Sequence, residues 1–212
     1  MPSVTSQKPR GKFKAGDDLR RRLLETANRL FRESGYENVS VRSIAQEVGC
    51  SQMAMYRHFP DKESLVRHLC NAIYKQFTAG LSTKFDHLPD PKERVRRALC
   101  DFVRLAAANP HHYRFTFLAR ISDQKTESAR TATAEPVIAY IRHTLGLALP
   151  PGSSDELVEE RLHQILAVTH GLIVMLITYP RAYRITREGA LAHLDSALAI
   201  LLEAHPSHGG TA

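Results

Sequence analysis

Residues 40–59 read SVRSIAQEVGCSQMAMYRHF, and the reading of this stretch decides the fold. Ser40 is placed to cap a short helix whose apolar positions, Val41, Ile44, Ala45 and Val48, recur at helical spacing. Gly49 ends it, since the position after a last helical turn favours a left-handed residue. A second short helix runs from Ser51 to His58, and Pro60 breaks it. Two short helices joined by a tight glycine-containing turn have the grammar of a helix-turn-helix. Ala45 is small and lets the helices cross closely. Met55 and Phe59, one turn apart, pin the second helix to the core. Gln52, Met53, Tyr56, Arg57 and His58 are left pointing away from the core or along its edge. A polar, aromatic and cationic face on a helix of two turns does little for stability, and it suits base edges and phosphates. The plainer alternative is a helical hairpin within a bundle.

Working outward, the whole chain reads as helix. Residues 1–16 lack periodicity and form a disordered basic arm with Lys8, Arg10, Lys12 and Lys14, which either reaches toward DNA or only solubilises. From Asp17 or Asp18 a helix carries Leu19, Leu23, Ala27, Leu30 and Phe31, and Gly35 stops it. Asp61 caps a long helix through Leu65, Leu69, Ile73 and Phe77. Pro91 opens another with Val95, Leu99, Phe102 and Leu105 on one face. Asn109-Pro110 starts a short aromatic helix holding Tyr113, Phe115, Phe117 and Leu118. Residues 122–132 are polar and read as a loose connection, with a helix following from near Pro136 to Leu149. Asp155 begins the most apolar helix, which ends near Tyr179-Pro180. Thr186 caps a last one with Leu191, Leu194, Leu198 and Leu201, and 205–212 form a disordered tail. The expectation is an all-α protein of about nine helices. It has a three-helix helix-turn-helix domain over 17–68 and a larger helical domain over 69–204.

Charge is unevenly spread along the 212 residues. Residues 1–68 are net +5 and residues 69–212 net +2. A clustered positive field attracts a polyanion, although charge alone fits a solvated basic face equally well. No run of about 18 apolar residues suggests a membrane span, and the basic, polar N-terminus is no secretory signal. Cys50, Cys70 and Cys100 are odd in number and far apart, which fits a reduced cytoplasmic compartment. Cys50 needs no redox role, since it serves as a small hydrophobe in the turn.

The run LFRESGYENVSVRSIAQEVGCSQMAMYRHFPDKESLVRHL resembles the N-terminal domain of TetR-family regulators. The matching pieces are Leu30-Phe31, Gly35-Tyr36, Ser40-Val41-Arg42, Ile44-Ala45, Val48-Gly49 with Ser51, Tyr56-Arg57-His58-Phe59, and Lys62-Glu63 with Leu65. So many spaced positions agree that the plain hairpin loses its appeal. The resemblance implies three N-terminal helices, with the segment at 52–58 entering the major groove. It assigns Tyr56 and His58 mostly to backbone phosphates and makes Lys62 the family's phosphate-contacting lysine. Ser40 and Arg42 lie at a helix N-terminus, where backbone N–H groups favour a phosphate. Gln52 can pair with adenine, and Arg57 with guanine or phosphate. Met53 stands where the family often has a small residue, and Cys50 where a small apolar one is usual. Both departures bear on sequence preference and not on class.

The resemblance further implies a C-terminal domain that binds a small molecule and dimerises. Asn109-Pro110 followed by Tyr113-Arg114-Phe115, and His170-Gly171-Leu172 in an apolar helix, resemble one subgroup. That subgroup usually carries a Trp before the His-Gly, and this chain has none. Tyr74, Phe77, Leu81, Phe102, Phe115, Tyr140, His170 and Val174 are the candidate pocket residues. Their mix suits an apolar or amphipathic effector of unknown identity. The helices near 157–178 and 187–204 carry apolar surface suited to an intersubunit four-helix bundle in a homodimer. The implied function is that of a repressor on a near-palindromic double-stranded DNA operator, released when its effector binds. The competing readings are a DNA-binding regulator without a ligand and an all-α enzyme. No set of paired catalytic residues marks an enzyme, and no cofactor loop is present. His163, His170, His111 and His112 lack the grouping of a metal site.

Overall fold

A computed structural model describes residues 15–118 and 124–203. Ten α-helices account for most of them, with no strand among the described residues. The all-α expectation is borne out. The basic arm, save its last two positions, and the tail lie outside the described residues. The chain divides into two compact units, Met1–Leu69 and Cys70–Ala212.

In the first unit, α1 (Ala15–Ser34) sets Leu23, Ala27 and Phe31 on one face and buries them almost completely. The four-residue spacing stacks these side chains turn upon turn. Gly35, at φ 80°, donates its N–H to the Phe31 carbonyl and ends α1. Helix α2 (Val41–Val48) starts with a capping box. The Ser40 hydroxyl accepts from the Ser43 N–H and the Ser43 hydroxyl accepts from the Ser40 N–H, both at 3.0 Å. It ends at Gly49, whose φ of 75° turns the chain sharply, while Cys50 N–H returns to the Ala45 carbonyl at 2.9 Å. Helix α3 (Gln52–Tyr56) is shorter than the sequence suggests. It closes at Arg57, where the N–H groups of both His58 and Phe59 return to the Met55 carbonyl. Helix α4 (Lys62–Phe85) begins on Asp61, whose carboxylate accepts from the Ser64 N–H. The division between the units falls within α4. Ile44, Ala45, Val48, Met55, Phe59 and Leu65 are all buried and form the small core of the first unit with the α1 stripe.

In the second unit, Asp90 caps α5 (Pro91–Ala108), and Val95, Leu99, Phe102, Val103 and Ala106 face inward. Helix α6 (Pro110–Tyr113) runs into a π-helical turn over Arg114–Leu118. Helix α7 (Gln124–Ala148) corrects the reading of 122–132 as a loose connection. The helix already spans Gln124 onward, and Pro136 sits inside it instead of opening it. Proline costs the helix one backbone hydrogen bond, which a long helix packed along its later turns can tolerate. Helix α8 (Asp155–Thr178), capped by Ser154, packs against α5, α7 and α10. A helix not anticipated from sequence, α9 (Pro180–Tyr183), precedes α10 (Arg187–Leu201), which Thr186 caps. Arg96 of α5 grips Glu93 and reaches Asp195 of α10 at 3.1 Å. Hydrogen bonds from Arg96 and Arg97 pull the Glu93 carboxyl down to about 2.

By length and composition, α8 is the one helix among the described residues apolar enough to cross a membrane. Only 28% of its apolar stretch is buried within the chain. Leu198, on the apolar stripe of the helix expected at the dimer interface, is 2% exposed and belongs to the core of the subunit itself. The outward face of α10 carries Ile200 instead, at 61% exposure.

Candidate functional site

The candidate reading surface is built from caps outward. The Ser51 hydroxyl accepts from the Ala54 N–H at 3.1 Å and gives the five-residue α3 its first fixed turn. Met55, fully buried, fixes the rotation of that turn about its axis. Its neighbours must then face outward. Ser51, Gln52 and Arg57 are exposed, as are Met53 at 68% and Tyr56 at 44%, while His58 is half-buried. Ser40 and Arg42 are exposed at the start of α2. Neither the Arg42 nor the Arg57 side chain forms an ion pair or hydrogen bond among the described residues.

Lys62 is held differently. Its ammonium lies 3.9 Å from the centre of the Tyr36 ring, and partial burial lowers its pKa. The ring orients the charge through its quadrupole. Tyr36 is thus a neighbour of Lys62 that sequence reasoning missed. Its adjacency to Gly35 was visible, but nothing local says that it lies under Lys62.

Most of the other described cations of the unit are engaged. Arg21 pairs with Asp18 and Glu25, and Arg29 with Glu33 and Glu47. Arg22 donates to the Val48 carbonyl. Arg20 lies 5.1 Å from the Phe59 ring centre and bonds His68, which burial and Arg20 together keep neutral to lower pH than usual.

The second unit encloses a cavity of ≈ 50 Å³. Of the eight residues expected there, Tyr74, Phe102 and His170 line it, joined by Leu99, Phe117, Val137, Ile138, Ile141 and Leu166. Phe115 does not line it. The π-helical turn adds a residue to the local repeat and brings Phe117 round in its place. Tyr140 sits on another face of α7 and donates to Asp86 at 3.0 Å. Phe77 packs against Phe102 at 5.8 Å, Leu81 is buried, and Val174 lies outside the lining. Tyr113, not foreseen as a pocket residue, is fully buried with its hydroxyl against His170 Nδ1. Burial raises the pKa of Tyr113 and lowers that of His170, so both are neutral near pH 7. Among the described residues no group of three His, Cys, Asp or Glu converges to hold a metal ion.

A capped two-helix motif with an exposed polar and cationic face on its second helix has the form of a helix-turn-helix. Residues 23–69 match the family of bacterial regulatory proteins named for tetR. By this match the first unit is similar to the N-terminal domain of that family. The regulator EthR of Mycolicibacterium smegmatis is 30% identical over 106 residues, covering 48% of this chain and 49% of that protein. YuxN of Bacillus subtilis, also a helix-turn-helix transcriptional regulator by name, is 43% identical over 63 residues, covering 29% of this chain and 22% of YuxN. The chain spans less than half the length of these curated relatives. Solved structures extend the likeness in fold. A transcriptional regulator from Aquifex aeolicus superposes with a TM-score of 0.64 at 18% identity, over 86% of this chain and 99% of that one. A protein from Saccharomonospora viridis, described as a transcriptional regulator and solved with choline, gives 0.70 at 21% identity, over 86% and 96%.

Proposed function

We propose that this protein is a ligand-responsive repressor that binds a near-palindromic DNA operator as a homodimer in the cytoplasm. The observation that carries the reading is the outward face of α3, pinned by Met55 from within and left without internal partners outside. In this reading Gln52 and Arg57 meet base edges, and Met53 offers an apolar contact to a thymine methyl. Ser40, Arg42, Ser51, Tyr56, His58 and Lys62 hold phosphates. The dimer is supported by α8, an apolar helix many of whose residues are only partly covered by its own chain, and by Ile200 on α10. An interface of more than ~1,500 Å² would cover them.

Two recognition helices must stand ~34–36 Å apart to read successive turns of the groove. An effector in the C-terminal cavity acts by binding one spacing of the reading heads better than the other, and α4 is the continuous element that carries the change. The choline found in the Saccharomonospora viridis protein is consistent with a small-molecule effector in this fold.

The test is binding of the full chain to DNA from its own upstream region across a range of salt. With roughly eight phosphates neutralised per dimer, the log–log slope is expected near −7. A slope near zero refutes the DNA reading, and a monomer that binds the palindrome tightly refutes the dimer.

A further inference from the structure

Lys62 stands where a cation is poorly placed. It is the first residue of α4, at the positive end of that helix, where unsatisfied backbone N–H groups repel it. Three carboxylates, those of Glu37, Asp61 and Glu63, lie close enough to the Tyr36 ring to act on its phenol. Lys62 nevertheless makes no ion pair and no hydrogen bond through its side chain among the described residues. Its ammonium lies instead 3.9 Å from the centre of the Tyr36 ring. That ring is itself held. Its centre is 5.8 Å from that of Phe31, which is buried in the core of the first unit, and the Tyr36 carbonyl accepts from the Val39 N–H at 3.4 Å. Burial first, and then the three carboxylates, raise the pKa of the phenol, so the ring is neutral near pH 7.

A carboxylate and an aromatic ring hold an ammonium with opposite consequences. A carboxylate cancels the charge and takes up its N–H donors. A neutral ring attracts the cation through its quadrupole and leaves the net charge in place. We propose that Tyr36 is a positioning residue for DNA binding: its ring holds the Lys62 ammonium clear of Glu37, Asp61 and Glu63 and presents it, still charged, to a phosphate of the duplex. This rests on the DNA-binding reading above and on the place of Lys62 in it, and it adds the residue that keeps that charge available. Partial burial lowers the Lys62 pKa against the pull of Glu37, as befits an ammonium whose water is partly replaced by a ring without a counter-charge. A phosphate supplies that counter-charge. A lysine steadied before the DNA arrives also has less rotamer freedom left to lose on binding.

The experiment drains the ring of its negative face while keeping its shape. The full chain is prepared as Tyr36→Phe, and then with phenylalanine bearing one or three ring fluorines at position 36, each with Lys62 and with Lys62→Ala. Fluorescence anisotropy gives the Kd for DNA from the upstream region at fixed salt, and melting confirms the fold. Tyr36→Phe keeps the ring and is expected to bind within about twofold of the wild type. Three fluorines should weaken binding by about 5- to 30-fold, from about 2- to 5-fold in each subunit of a dimer, with one fluorine between. In the Lys62→Ala protein the series should be flat. Tyr36→Leu should lose affinity in the same way, and only when Lys62 is present; if that variant fails to fold, the fluorine series still decides. Equal losses in both backgrounds overturn the proposal, because Tyr36 would then only support the fold. A flat series with Lys62 present overturns it too. If Lys62→Ala binds as the wild type does while the salt slope stays steep, the proposal falls and the DNA reading stands. A wild-type slope near zero removes both.

Discussion

Ser51 performs two tasks that substitutions can separate. Its hydroxyl accepts from the Ala54 N–H at 3.1 Å, and its exposed position at the start of α3 puts it in the proposed phosphate surface. Ser51→Ala removes the cap from a helix of five residues. An N-cap of this type stabilises by about 1 kcal/mol. For a chain of this size that corresponds to a fall in Tm of about 2–4 °C. Ser51→Asp keeps an acceptor of equal capping quality and leaves stability near the wild type, with a small gain from the helix dipole. In a dimer on DNA it also sets two carboxylates against the phosphate backbone. Affinity should then fall more than tenfold at low salt, and the magnitude of the salt slope should drop by about 2, one for each subunit. Calorimetric melting and a fluorescence anisotropy titration read the two effects independently. The reasoning is refuted if Ser51→Asp binds DNA as the wild type does, since Ser51 would then lie away from the phosphates. It is refuted equally if Ser51→Ala melts unchanged, because the cap would then contribute nothing.

Gln52→Ala should cost about 1–3 kcal/mol on the cognate site and relax one base position, while Lys62→Ala weakens binding to all sequences alike. Identical behaviour of the two on shuffled operators would contradict that division. Ile200→Glu, on the outward face of α10, should yield a folded monomer in sedimentation, whereas Leu198→Glu should unfold the subunit by burying an unpaired carboxylate. A dimeric Ile200→Glu protein would put the interface elsewhere. His170 has a lowered pKa because it is buried, so the folded state resists its protonation. The unfolded chain takes up that proton below its ordinary pKa of ~6.5, and stability is lost as pH falls below that value. His170→Gln should flatten the decline in denaturant midpoint between pH 7 and pH 5, and an equally steep decline would exclude His170 as its source.

What could be read from the sequence was whatever local chemistry decides. Ser40, Gly49 and Ser51 act on backbone groups within three or four residues of themselves, so the two short helices and the turn between them followed from residue types alone. Met55 and Phe59 were legible because a helix of two turns has few ways to bury an apolar side chain. The illegible parts depend on neighbours distant in sequence. The early turns of α7 gave no periodic apolar signal, and Pro136 looked like a beginning because proline usually marks one. Phe115 was preferred to Phe117 because an ordinary helical count was applied across a π-helical turn. Leu198 shows the same weakness on a plain helix. Its apolar stripe was visible, but which side faced the subunit core was settled by packing against α5 and α8.

The ion pairs along α1 bear on how the protein meets a duplex in solution. An arginine held within a few ångströms of a carboxylate looks from a distance like a dipole, and its potential dies away faster than that of a lone charge. Beyond ~8 Å in physiological salt little of it remains. Arg21 and Arg29 are therefore almost silent to approaching DNA, although they count fully in the net charge. Arg42 and Arg57, beside and on α3, are not muted in this way. If α3 reads DNA as proposed, a molecule near a phosphate backbone lingers when the surface bearing α2 and α3 faces it and drifts off when the charged face of α1 does. Part of the orientational search is thus completed by electrostatics before any hydrogen bond to a base is made.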